Sequence, residues 1–67
     1  MRKWLAEERK KAGLTQLEVA EKIGISESYY NFIEAGQRQK KMDIVLILKL
    51  SDIFGIPVER IVKLETE

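Results

Sequence analysis

The sequence of 67 residues contains no cysteine and no histidine. These absences exclude disulfide bridges, zinc fingers and imidazole metal sites, so no metal is expected. A chain of this length forms a single domain, residues 1–67, with a thin hydrophobic core. Because disulfides and these metal sites are excluded, association with another chain is the expected supplement to its stability.

Long apolar runs are also missing. The longest, Ile44 to Leu48, is far too short to cross a bilayer. The chain begins with charged residues, among them Arg2, Lys3 and Glu7, and has no signal-peptide core behind them. A soluble cytoplasmic protein is therefore expected.

The inventory of reactive groups argues against an enzyme. There is no histidine or cysteine, no G-x-S-x-G motif and no glycine-rich phosphate loop, and the acidic residues are scattered. We therefore expect no catalytic residues, no cofactor and no small-molecule substrate.

Net charge is low, at +1, but the basic residues are unevenly placed. They cluster at Arg9-Lys10-Lys11 and at Arg38, Lys40 and Lys41. Such clusters favour a nucleic acid partner only modestly over an ordinary solvated surface.

The spacing of apolar residues between four glycines is helical, which predicts an all-α chain. We predict five helices: about Arg2 to Ala12, Thr15 until Gly24 ends it, Ser26 to about Ala35, Asp43 as the cap of a helix to Phe54, and Pro57 to near Leu64. Thr15 and Glu18 form a predicted capping box, and Ser26 and Asp43 are good N-caps.

The predicted core combines apolar residues from all helices but the last: Leu5, Val19, Ala20, Ile23, Ile25, Tyr30, Ile33, Ile47, Leu50 and Phe54. On the fourth helix, a stripe with Ile44, Ile47, Leu50 and Phe54 is predicted to face this core. Val45 and Ile53 fall on the opposite arc, beside Lys49 and Asp52. Apolar residues there indicate a partner surface.

The most informative stretch is GLTQLEVAEKIGISESYYNFIEAGQR, residues 13–38. Two short helices are joined by Gly24-Ile25 and a new N-cap. A tight turn with glycine in the left-handed conformation is the geometry of a helix-turn-helix, which presents its second helix to a DNA major groove.

The chain resembles the phage repressor and Cro-like (Xre-type) helix-turn-helix family over nearly its whole length. The matching residues are Arg9, Gly13 to Gln16, Val19-Ala20, Ile23 to Ser26, Ile33-Glu34, Gly36, Arg38, Leu50 and Phe54 to Ile56. The resemblance implies a five-helix, lambda-repressor-like domain with its helix-turn-helix at about residues 15–35. It also implies a sequence-specific, double-stranded DNA-binding transcriptional regulator, expected to be a repressor, that is nucleoid-associated when bound.

The family's base-reading positions fall on the outward face of the third helix, residues 26–35. They correspond to Glu27, Ser28, Asn31 and Phe32. Ser28 and Asn31 can donate or accept hydrogen bonds, Glu27 can accept from cytosine N4, and Phe32 can cover a thymine methyl. An ordinary solvated face is the alternative, and the exposed Phe32 speaks against it.

Contacts to DNA phosphates are expected from Gln16, Tyr29, Arg38, Lys40 and Lys41. In the family, the residue at Gln16 binds phosphate through its backbone N–H and braces the recognition helix with its side chain. Tyr29 has two open interpretations, a phosphate contact by its hydroxyl or packing against helix two or four. The chain departs from the family pattern in the connection from Gly36 to Asp43, which is longer than the common form.

The resemblance also implies a structural ion pair between Arg9 and Glu34 and a homodimer that reads a palindromic operator. The predicted dimer contacts lie in the C-terminal third, at Ile53, Ile56, Pro57, Val58 and Ile61. An alternative function is an antitoxin-like or other protein-interaction module that binds a protein partner through helices four and five. The apolar fourth helix and the lack of Lys or Arg on the third helix favour this alternative.

Overall fold

The computed structural model describes residues 1–67 and contains five α-helices and no strand. The helices are α1 (Lys3–Lys11), α2 (Gln16–Ile23), α3 (Glu27–Ala35), α4 (Ile44–Phe54) and α5 (Val58–Thr66). The predicted all-α class is confirmed, and the predicted helix boundaries hold to within two residues. None of the helices is long and apolar enough to traverse a lipid bilayer.

Three helices begin at the predicted side-chain caps. In the capping box before α2, Thr15 Oγ1 accepts from the Glu18 amide at 3.1 Å and Glu18 Oε1 accepts from the Thr15 amide at 2.8 Å. Ser26 Oγ and Asp43 Oδ1 accept from amides in the first turns of α3 and α4. These bonds satisfy amides that have no partner within the helix, so they fix where each helix begins.

All five helices contribute residues to the buried core. Its apolar members are Leu5, Ala6, Val19, Ala20, Ile23, Tyr30, Ile33, Leu46, Ile47, Leu50 and Ile61. Ile25 and Phe54 are half-buried and pack against its edge, so their prediction as core residues was too strong. The connection of α2 to α3 through Gly24, at φ +88°, brings Ala20 into full burial.

The predicted orientation of α4 was wrong at its first turn. Ile44 is 60% exposed, whereas Leu46 is buried. The reason is that α4 packs against both α2 and α5, which centres its buried arc on Leu46, Ile47 and Leu50. Lys49 Nζ donates to the Ile23 carbonyl at 3.0 Å, and this bond ties α4 to the end of α2.

Helix α5 completes the core and changes one prediction about the dimer. Ile61 is fully buried in the single chain, so it has no surface to offer a partner. Its selection as an interface residue is therefore corrected. The turn before α5 is held by Ser51, whose Oγ donates to the Ile56 carbonyl at 2.6 Å.

Candidate nucleic-acid interface

The outward face of α3 forms a shallow depression with the start of α2. The depression is lined by Gln16, Glu27, Ser28, Asn31 and Phe32. The four α3 residues are exposed, and their spacing along the helix places them on one side of it. The structure thus brings together all four predicted base-reading residues and the predicted brace.

The turn between α2 and α3 sets the position of this face. Gly24 adopts the left-handed conformation, and its amide donates to the Ala20 carbonyl at 2.8 Å. Ile25 packs against the core, and Ser26 then caps α3. A side chain at Gly24 would be strained in this backbone conformation, which is why glycine is required at the turn.

An ion pair between α1 and α3 lies behind the depression. Arg9 Nε is 2.6 Å from Glu34 Oε2, and the two side chains are 14% and 5% exposed. Burial alone raises the pKa of Glu34. The hydrogen bond from Arg9, the nearby Tyr30 hydroxyl, the hydrogen bond from Gln16 and the charge of Arg9 together outweigh burial and hold that pKa below its usual value. The hydrogen bond to Glu34 likewise raises the pKa of Arg9. Both groups are therefore charged at neutral pH.

The ion pair connects to the exposed face through Gln16. Gln16 Nε2 donates to Glu34 Oε1 at 3.1 Å, and Asn31 Nδ2 donates to Gln16 Oε1 at 3.1 Å. A continuous chain of hydrogen bonds therefore runs from Arg9 to Asn31. These bonds fix the amide of Asn31 on the exposed face of α3. The hydroxyl of Ser28, on the same face, has no hydrogen-bond partner within the protein.

Tyr30 lies under the same network. Its ring is fully buried, and its hydroxyl is buried without a hydrogen-bond partner. Burial, and next the proximity of Glu34, raises the pKa of Tyr30 far above its usual value. Tyr30 is therefore a neutral core residue, as predicted.

The remaining predicted phosphate contacts are divided between two places. The guanidinium of Arg38 lies 5.5 Å from the centre of the Phe32 ring, at the edge of the depression. Tyr29 packs against the core, and its hydroxyl accepts from Gln39 Nε2 at 3.0 Å. Lys40 and Lys41 instead line a second depression with residues of α5, including Val62.

The structure reveals three further polar residues that the sequence analysis did not single out: Arg2, Gln39 and Glu65. Arg2 is 8% exposed, and its guanidinium donates to backbone carbonyls at the end of α3 and in the following connection. Its Nε also donates to Glu65 on α5. No sequence motif indicates such a contact, because its acceptors are carbonyls and an acid at the far end of the chain.

The predicted dimer residues other than Ile61 remain partly accessible. Ile53, Ile56 and Val58 are half-buried, and Pro57 is exposed. A separate apolar strip on α4 is more open, since Ile44, Val45 and Leu48 are all more than half exposed.

A tight turn between two short helices, with an exposed and braced second helix, defines a helix-turn-helix protein. The family model described as Helix-turn-helix matches residues 5–61. The chain belongs to the helix-turn-helix family, of the phage repressor and Cro-like (Xre-type) kind that the sequence indicated.

One relative is an uncharacterised protein of Bacillus subtilis (strain 168), named as the HTH-type transcriptional regulator YqaF. The two sequences are 40% identical over 55 residues, which cover 82% of this chain and 70% of that protein. The aligned length is sufficient to include the whole helix-turn-helix, and the relationship supports a regulator that binds DNA.

Proposed function

We propose that the protein is a sequence-specific transcriptional repressor that inserts α3 into the major groove of double-stranded DNA. The observation that carries this proposal is the exposed face of α3, where four side chains able to contact base edges lie together. Repression follows when a protein bound at an operator occludes it. In this role the protein is associated with the nucleoid and performs no chemistry of its own.

Each residue on this face has a role that follows from its chemistry. Asn31 is suited to adenine or to another base edge that both donates and accepts hydrogen bonds. Ser28 can either donate or accept a hydrogen bond. Phe32 covers a thymine methyl, and Glu27 accepts from cytosine N4. Because the hydrogen bond from Asn31 to Gln16 limits its rotation, Asn31 presents its free amide groups in a restricted set of directions.

Contacts to the DNA backbone supply the remaining affinity. The amide of Gln16 lies in the first turn of α2, where helix amides lack intrahelical partners and attract anions. Arg38 stands at the edge of the recognition face, and the hydroxyl of Tyr29 lies beside the same connection. Lys40 and Lys41 add positive charge to that connection. These contacts are independent of base sequence and weaken with salt.

Specific binding also requires a second copy of the chain, because one domain of this size reads only one half-site. We assign the dimer contact to the corner between α4 and α5, at Ile53, Ile56, Pro57 and Val58, without Ile61. A two-fold dimer of this kind reads a palindromic operator with half-sites about one helical turn apart.

The first experiment is a gel shift with a random-sequence 20-base-pair duplex at low and at moderate salt, followed by selection of bound sites from a random pool. We expect salt-sensitive binding to the random duplex and recovery of a palindromic preferred site. If the protein binds the duplex at none of the salt concentrations, the proposal is contradicted.

A second candidate function is binding of a protein partner through α4. The observation in its favour is the strip formed by Ile44, Val45 and Leu48, which no other part of the chain covers. Replacing Leu48 with Lys tests the two candidates against each other. The repressor proposal expects the DNA affinity of this variant to be unchanged or slightly higher. If the variant still binds DNA but loses its function in cells, a protein partner is favoured.

A further inference from the structure

The N-terminal end of α1 carries a buried arginine that faces the connection between α3 and α4. Arg2 Nη1 donates to the Ile33 carbonyl at 2.6 Å and to the Arg38 carbonyl at 3.1 Å, and Nη2 donates to the Gln39 carbonyl. The Arg2 amide also donates to the Glu34 carbonyl at 2.8 Å. One residue thus holds the last turn of α3 and the chain that follows it.

The charge of Arg2 is balanced from the other end of the sequence. Its Nε lies 3.0 and 2.9 Å from the two carboxylate oxygens of Glu65, near the end of α5. The indole of Trp4 donates to the same carboxylate at 2.7 Å. Arg2 and Glu65 are 8% and 15% exposed, so water screens their attraction only partly.

The segment that Arg2 holds, residues 37–41, contains the basic side chains of the proposed backbone contact. Arg38 lies over Phe32, and Lys40 and Lys41 follow. Gln39 has a positive φ of 53°, a conformation that is uncommon outside glycine. Its side chain donates to the Tyr29 hydroxyl and accepts from the Asp43 amide. The segment therefore has a defined shape that depends on contacts from outside it.

We propose that Arg2 is a positioning residue for DNA binding: through its bond to Glu65 it fixes the 37–41 segment so that the segment's basic side chains meet DNA phosphates. This inference rests on the proposed DNA binding. It assigns a function to α5 beyond packing, because α5 supplies the carboxylate that keeps Arg2 against the segment.

The chemistry of the guanidinium suits this role. A planar fork of five N–H groups can bond to three carbonyls and one carboxylate at once, whereas a lysine ammonium is a single point with three donors. Without the fork, residues 37–41 sample more conformations, and DNA binding has to order them again at a cost in affinity. Fewer phosphate contacts then form, and the dependence of affinity on salt becomes shallower.

The test compares two variants with the same charge change, Glu65→Ala and Glu7→Ala. Glu7 is exposed on α1 and makes no ion pair. Both variants lack one negative charge, which by itself favours DNA. Affinity for a random 20-base-pair duplex is measured from low to moderate salt, at a temperature where circular dichroism shows each protein to be fully folded.

We expect Glu7→Ala to bind at least as tightly as the parent with the same salt slope. Glu65→Ala is expected to bind about tenfold more weakly at the lowest salt. Its slope should be shallower by about one to two units, one for each DNA phosphate that the basic side chains no longer neutralise. Arg2→Lys serves as the second variant. It keeps the positive charge but lacks the fork, so a shallower slope in it cannot come from the removal of a charge.

The possible failures are distinct. If the parent does not bind the duplex at any salt, the proposed function fails and this inference fails with it. If the parent binds and both Glu65→Ala and Arg2→Lys keep its slope and affinity, the inference is overturned while the proposed function stands. If Glu65→Ala does not fold, Arg2→Lys alone decides by the same criterion.

Discussion

Both ends of α1 are joined to α3 by a largely buried arginine, but the two connections differ in kind. Arg9 bonds mainly to a side chain, that of Glu34, which lies on α3 within the helix-turn-helix. Arg2 bonds mainly to backbone carbonyls and to Glu65, which is 63 positions away. The first connection orients the exposed face of α3 through Gln16, and the second holds residues 37–41, which follow α3. The domain therefore fixes the two parts of its candidate DNA surface by separate means.

The largest effect is expected when one partner of the Arg9–Glu34 ion pair is removed. Glu34→Ala leaves Arg9 charged and largely buried without its partner, so we expect the free energy of unfolding to fall by about 3–5 kcal/mol. Urea denaturation followed by circular dichroism measures this. Replacing both residues by apolar ones of similar volume should recover much of the stability. If the losses from Glu34→Ala and Arg9→Ala simply add in a variant that carries both changes, the two residues are not coupled and the prediction fails.

A smaller effect is expected at the other end of α1. Arg2→Ala removes charged hydrogen bonds, but the Glu65 carboxylate that it leaves still accepts from the Trp4 indole, so we expect a loss of about 1.5–3 kcal/mol. Thermal unfolding measures it, with Lys3→Ala as the control because Lys3 is the exposed neighbour. A melting temperature equal to that of the control means that the Arg2 contacts do not stabilise the fold, and the comparison between the two ends fails.

The smallest effect on stability is expected when the pH is lowered. Because the pKa of Glu34 is lower in the folded protein than its usual value, the unfolded state binds more protons and stability falls as pH decreases through the folded pKa. We expect the parent to become less stable between about pH 5 and 3, near the range where a free glutamate titrates. In Glu34→Gln this decline should be shallower, and the part due to Glu18, whose pKa is also lowered, should remain. An identical decline in both proteins contradicts a lowered pKa at Glu34.

The structure also shows which features the sequence could predict. The capping box at Thr15, the turn at Gly24 and the order of the helices depend on local patterns, and the structure contains each of them. The juxtaposition of Arg9 and Glu34 was implied by the family resemblance. Arg2 could not be found in the same way, since a carbonyl acceptor can be supplied by any residue and leaves no pattern in the sequence.

The orientation of α4 shows a second limit. Nearly every position from Ile44 to Leu50 is apolar, so the sequence offers no polar face by which to orient the helix. Packing by α2 and α5 decides that Leu46 is buried and Ile44 is exposed. The same packing buries Ile61, which the sequence analysis had assigned to the dimer surface.

The most direct test of the central claim compares Ser28→Ala with Arg38→Ala on the selected DNA site and on random duplex. Ser28 is exposed on α3 and its hydroxyl is free of protein partners, so its removal leaves the fold intact. With α3 in the major groove, Ser28→Ala should cost about 1–3 kcal/mol on the selected site, relax the preference at one base pair and leave random-duplex binding unchanged. Arg38→Ala should weaken binding to both duplexes alike and flatten the salt dependence by about one unit. An unchanged site preference in Ser28→Ala, together with unchanged preferences in Asn31→Ala and Phe32→Ala, would contradict the placement of α3 in the groove.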